Sequence, residues 1–195
     1  MPTLSDICHF NTLTPEIDLS TFDCEHPDLN EFFKDDARDY SEKLLGKSYI
    51  FTLDENPDIV VGAFTVSNDS LRVSSLGSSR KNKIRKKFPR GKHLKNYPAV
   101  LIGRLGVHKD FKGLNYGSEI LDFIKMWFTE DNNKTGCRFI IVDAYNIPPA
   151  LKFYEKNGFK FLHSSERTEK QHLGYTESKK LDTRFMYFDL MQFCN

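Results

Sequence analysis

The chain has 195 residues, 39% of them hydrophobic and 28% charged, with a net charge of +1. That size and balance fit one soluble globular domain and exclude a chain that is polycationic throughout, so any attraction to nucleic acid must come from a local patch. No apolar run approaches the roughly 18 residues of a membrane span. The opening MPTLSDICHFNTLTPEIDLS lacks the basic and apolar regions of a secretory signal. Cys8, Cys24, Cys137 and Cys194 lie far apart with no C-x-x-C pair, which predicts packed thiols in a reducing cytoplasm rather than disulfides or a metal site.

Pro27 and Asp28 open a predicted helix, in which Leu29, Phe32, Phe33, Ala37, Tyr40 and Leu44 recur at helical spacing. SYIFTLDENPDIVVGAFTVS reads as a hairpin around Asn56-Pro57-Asp58. Residues 70–109 contain no Asp or Glu, and the stretch from Arg80 to Lys95 is dense in Lys and Arg, so a basic loop insertion is expected at about 77–98. AVLIGRLGVH is a predicted buried strand, and the helix after it carries Ile120, Leu121, Ile124, Trp127 and Phe128 on one face. RFIIVDAY is a second buried strand. PPALKFYEKNG is a short helix with Pro in its first turn and Gly158 at its end. FKFL is a short strand, His163 to Asp182 reads as loop, and RFMYFDLMQF closes the chain as a strand. The alternation in the second half predicts an α/β fold with a partly parallel sheet.

Between the first buried strand and its helix lies KDFKGLNYGSEILDFI. The first turn of a helix has backbone N–H groups without intrahelical partners, and the macrodipole adds partial positive charge there. Gly113 permits φ > 0 and close approach, and Asn115 is among the few side chains that tolerate the left-handed region. The stretch therefore reads as a phosphate cradle. It is neither a Walker loop, since Gly117 is followed by Ser-Glu, nor a G-x-G-x-x-G fingerprint.

Lys112-Gly113-Leu114-Asn115-Tyr116-Gly117 resembles the acyl-CoA loop of the GNAT acetyltransferase superfamily, [QR]-x-x-G-x-[GA], with Lys112 in place of Gln or Arg and Asn115 in place of the first Gly. Arg104-Leu105-Gly106-Val107 precedes it at the superfamily's spacing. Ala150, Tyr154, Gly158 and Phe159 match its later A-x-x-x-Y-x-x-x-G-F signature. The resemblance implies a mixed, partly parallel twisted sheet with helices on both faces and a splayed central strand pair, in a single domain over 1–195. It implies acetyl-CoA as co-substrate and direct attack by a primary amine. Backbone amides of Leu105, Gly106 and Val107 would pair with pantetheine, residues Lys112 to Gly117 would wrap the pyrophosphate, and Ser118 would add a hydroxyl donor. Asn146 stands one residue before the position at which relatives place a cofactor-contacting asparagine.

Tyr154 matches the tyrosine that protonates the departing thiolate; a tyrosine of ordinary pKa near 10 is a neutral donor at pH 7. The alternative is an aromatic core residue. Many members of the superfamily that acetylate lysine place a glutamate on the strand before the loop; this strand has no carboxylate, and Arg104 lies in the region where one would be sought. An α-amine of pKa about 7.7–8.0 needs less help from a base than a lysine near 10.4, so this strand favours an α-amine acceptor. Asp143, ending the second buried strand, is either the base or a turn acceptor.

The segment from Arg80 to Lys95 is either a solvated loop or a phosphate-backbone contact. Phe22-x-Cys24 followed by Leu29, Phe32 and Ala37, with the Gly103-Arg104-Leu105 strand, resembles the toxin-like branch that acetylates the α-amine of aminoacyl-tRNA. That branch implies a tRNA contact and an antitoxin partner. A non-catalytic CoA- or RNA-binding module and a homodimer remain open.

Overall fold

The computed structural model describes residues 2–73, 76, 78–85, 94–133 and 135–192. The hairpin forms as its sequence predicts. β2 (Lys47–Leu53) and β3 (Val60–Arg72) pair antiparallel around the Asn56-Pro57-Asp58 turn. A register shift between Phe51 and Thr52 bulges the pairing, and β3 runs on for several residues past the predicted hairpin. Gly62 sits beside this bulge, where a Cβ would come within 2.6 Å of the Ile120 side chain.

The chain divides into two compact units, Met1–Asn68 with Ile102–Phe128, and Asp69–Leu101 with Thr129–Asn195. In the first, α1 (Leu4–Ile7) leads into β1 (Cys8–Thr12), which pairs antiparallel with β2. The sequence reading left both unassigned. The helix at Pro27 forms in three pieces: α2 (Pro27–Glu31), a π-helical turn over Phe32–Asp36, and α3 (Ala37–Glu42). Phe32, Phe33 and Ala37 remain buried through the change of winding. One face of this unit is aromatic. Phe10 of β1 stacks on Tyr49 and lies 4.5 Å from Phe123 between ring centres, and Tyr49 meets Trp127 edge-on at 4.9 Å. These partners belong to α5 (Tyr116–Trp127), whose Ile120, Leu121 and Ile124 are fully buried, as the predicted stripe requires.

In the second unit, β4 (Asn96–Val107) pairs parallel with β5 (Phe139–Tyr145) through Ala99↔Phe139, Val100↔Ile140 and Leu101↔Ile141. β5 pairs antiparallel with β7 (Thr183–Asp189), and the short β6 (Lys160–Phe161) adds to the outer edge of β7. β3 and β4 each contribute residues to both units, and the strand order is β1-β2-β3-β4-β5-β7-β6. The architecture is thus the expected mixed α/β sheet, with a parallel step between β4 and β5.

Two stretches read as loop are partly helical. α4 (Ser78–Arg85) lies inside the basic segment, with Ile84 buried in a core that includes Leu71, Tyr97, Phe139 and Ile141. One anchoring isoleucine among cations gives no apolar stripe to read. Residues 86–93 of that segment lie outside the described residues. α7 (Glu166–Leu173) occupies the polar stretch before β7. Ser165 accepts the Thr168 amide at its start, and Gly174 closes it at φ 70°. Its buried residue is Glu169, whose carboxylate takes Arg184 Nε and the Phe185 amide at 2.7 Å each. A helix anchored by a buried ion pair has no hydrophobic periodicity.

Candidate active site

The glycine loop has the backbone its sequence calls for. Gly113 sits at φ 80° and Asn115 at φ 69°, with Asn115 capping α5 from the left-handed region. The Asn115 carbonyl accepts the Ser118 amide at 2.9 Å and the Glu119 amide at 3.2 Å. The amides of Tyr116 and Gly117 open the first helical turn, where no i−4 carbonyl is available to them within the helix. Gly117 is helical rather than left-handed, so its value lies in leaving that turn uncovered. With Gly113 and Lys112 exposed beside it, this end of α5 has backbone donors and a helix dipole of the kind that suits an anion.

What holds the loop is the segment before α2, which sequence reasoning credited only as a resemblance. Lys109 donates its amide to the Asp23 carbonyl at 2.8 Å and pairs its ammonium with the Asp23 carboxylate at 3.1 Å. Lys112 Nζ donates to the Cys24 carbonyl at 2.8 Å and to Glu25 at 2.7 Å. Asn30 locks this brace, accepting from Cys24 N and donating to Asp23. The Glu25 amide, the Asn30 amide group and Lys109 hold the Asp23 carboxyl well below the usual range. Gly106 of β4 packs against the same segment, where a Cβ would stand 3.2 Å from Cys24 Sγ. The Lys112 ammonium is therefore committed to the brace, and the loop offers a ligand its main chain.

Leu105 and Val107 of β4 are half-buried and Gly106 is buried. Arg104 stacks its guanidinium 4.9 Å from the Phe32 ring centre and donates to the Gly103 carbonyl. Arg104 is thus a cation packed on the helical segment at Phe32. Ser118 is buried in the first turn of α5, and Tyr116 is buried with its hydroxyl donating to the Pro2 carbonyl at 3.4 Å.

In the second unit, Tyr154 lies on α6 (Pro148–Lys156), half-buried with Phe153 and Phe159 edge-on at 5.2 and 5.3 Å. Burial of its hydroxyl, reinforced by Tyr145, pushes its pKa up, so it is a neutral phenol throughout the physiological range. The rest of the A-x-x-x-Y-x-x-x-G-F motif sets its position. Gly158 ends α6 at φ 83° with Phe188 3.0 Å from where a Cβ would sit, and Phe159 is buried against Phe188.

Asn146 uses its side-chain amide within this unit, donating to Glu166 at 3.2 Å and to the Leu181 carbonyl at 2.9 Å. Asp143 projects from β5 onto the wall of a recess of about 630 Å³, shared with Asp69, Arg72, Glu169, Tyr175 and Lys179. The side chain is exposed at the mouth, yet the recess walls withdraw water from its carboxyl, and Glu169 and Asp69 add like charge, so its pKa is raised. Among the described residues, no group of three or more His, Cys, Asp or Glu could hold a metal ion. No helix among them is long and apolar enough to cross a membrane.

Residues 82–161 match the family model for the acetyltransferase (GNAT) domain. Solved structures share the fold over nearly the whole chain. A tyrosine-to-phenylalanine mutant of KacT aligns with a TM-score of 0.70 at 18% identity, covering 95% of this chain and 96% of that one. AtaT complexed with acetyl-methionyl-tRNAfMet aligns at 0.69 and 21%, covering 95% and 96%. A mutant AtaT toxin bound to the C-terminus of the antitoxin AtaR and acetyl-CoA aligns at 0.65 and 19%, covering 96% of each. The domain match spans the loop and the tyrosine helix, and over the remainder of the chain the solved structures share the fold.

Proposed function

We propose that the chain transfers acetyl from acetyl-CoA to the α-amine of an acceptor, with residues 1–195 acting as one domain. The observation that carries this is the α5 cradle: left-handed Gly113 and Asn115, with the free amides of the first turn, suit a pyrophosphate. In this reading Lys112, Gly113, Leu114, Asn115, Tyr116 and Gly117 wrap the pyrophosphate through the main chain, with Ser118 behind them. Leu105, Gly106 and Val107 offer backbone groups to pantetheine. Asn146, its donors engaged elsewhere, contributes through its carbonyl oxygen.

Asp143 takes a proton from the acceptor ammonium, and its raised pKa suits it to an α-amine of pKa about 8 better than to a lysine. The neutral nitrogen attacks the thioester carbonyl; the C–N bond forms and the C–S bond breaks. Tyr154 gives its proton to the departing sulfur and recovers one from the acetylated nitrogen, and the proton on Asp143 leaves to water. Arg104 on β4 supports an acceptor that needs no strong base on that strand.

A more specific reading takes the acceptor as aminoacyl-tRNA and the protein as a cytoplasmic toxin with an antitoxin partner. The basic 80–95 segment and the likeness to AtaT, whose structures include complexes with acetyl-methionyl-tRNAfMet and with AtaR, support it. Labelled acetyl-CoA offered with charged tRNA, uncharged tRNA and free amino acids separates these readings. Label on charged tRNA alone supports the toxin-like reading, label on a free amino acid supports a small-substrate enzyme, and label on none removes the proposal.

A further inference from the structure

The recess in the second unit combines two kinds of charge. Asp143 comes from β5 and Asp69 from β3; the cations are Arg72 of β3 and Lys179 and Lys180 from the segment between α7 and β7. Glu169, the recess's buried carboxylate, is satisfied by Arg184 and the Phe185 amide, so it holds the wall rather than a ligand. Asp143 differs. Its main chain pairs with β7, but among the described residues its carboxylate makes no hydrogen bond and no ion pair, and the charges acting on it are the like-charged Glu169 and Asp69.

An unpaired carboxylate among carboxylates is held at a cost that a cation would relieve. Nearby, the Lys179 ammonium lies 3.6 Å from the Tyr175 ring centre, a cation–π contact that places the charge beside the recess. The volume, about 630 Å³, falls in the range of small-molecule sites. The walls also carry Leu162, Leu181 and Phe185, which give apolar surface to an uncharged side chain.

We infer that this recess is the acceptor subsite and that it recognises a primary amine joined to an anionic group, Asp143 taking the ammonium and Lys179 and Lys180 the anion. This rests on reading the chain as an N-acetyltransferase. The shared chemistry, amine plus anion, has two sources: the carboxylate of a free amino acid, or the phosphate of a nucleotide that carries an amino acid. A simple monoamine satisfies half of the subsite.

The test is calorimetric binding to the full chain saturated with CoA, which has no acetyl group to transfer. Three probes are titrated: leucine, leucinamide, and adenosine 5′-monophosphate carrying leucine through a 3′-amide. The subsite predicts that leucine or the nucleotide binds at least about tenfold more tightly than leucinamide, the worth of one charge-assisted contact. Whichever binds more tightly names the source. Lys179→Ala with Lys180→Ala erases that advantage while leaving leucinamide unchanged, and Asp143→Asn weakens all three. Equal binding of the three probes, or an advantage that survives the lysine variants, overturns the inference. CoA binding is read in the same instrument. Loss of CoA binding counts against the acetyltransferase reading, whereas CoA binding without discrimination among the probes counts against the recess alone.

Discussion

Three glycines separate backbone strain from packing. At Gly113, φ is 80° and a new Cβ would meet nothing within 4 Å, so Gly113→Ala changes conformation and no contact. An L-residue in the left-handed region costs about 1–2 kcal/mol. If the loop keeps its shape, the variant loses that much stability. If the loop relaxes and re-forms only around a phosphate, the same energy is charged to binding, and CoA affinity falls about 5- to 30-fold. Gly174→Ala is the matched control: φ is 70°, surroundings are open, and the residue closes α7. It predicts a similar stability loss with CoA affinity intact. Gly136 also has open surroundings and no left-handed φ, so Gly136→Ala is neutral in both. Denaturant midpoints and CoA calorimetry on the three variants give the answer. A Gly113→Ala protein indistinguishable from Gly136→Ala in stability and CoA affinity refutes the cradle.

Other consequences follow from single contacts. Glu169→Gln removes the charge from a buried pair with Arg184 and lowers unfolding free energy by about 3–5 kcal/mol, measured by urea titration. Asp143 has a folded pKa above its unfolded one, so its favourable contribution is complete at low pH and is lost as pH rises through the folded value. Asp143→Asn therefore raises Tm at pH 7 and leaves it unchanged near pH 3, a difference that thermal scans at the two pH values resolve. Burial pushes the Cys8 and Cys137 thiols up to about 11, so iodoacetamide at pH 8 labels both about a hundredfold more slowly than an ordinary thiol, as timed mass spectrometry would show.

The loop and the tyrosine helix were legible because their chemistry is local. Gly113 and Asn115 announce left-handed backbone, Gly158 announces a helix end, and the apolar spacing from Ile120 to Ile124 announces the face that packs. The brace was not legible, because Asp23 to Lys109 and Glu25 to Lys112 are pairings across more than eighty residues with no periodicity to expose them. α7 escaped for a related reason: its anchor is an ion pair rather than a stripe, and the remaining signals were Ser165 with Thr168 and a closing Gly174. Asp143 was readable as a carboxylate at a strand end. Its surroundings depend on β3, α7 and the approach to β7, which only the tertiary fold assembles.

The most direct test of the central claim compares turnover and CoA affinity in Tyr154→Phe. The substitution keeps the ring that packs between Phe153 and Phe159 and removes only the proton donor. Loss of a positioned general acid predicts a fall in kcat of about 10²- to 10⁴-fold with the Kd for CoA unchanged. Unchanged kcat, with acetyl transfer intact, would contradict the assignment of Tyr154 as the group that protonates the departing sulfur.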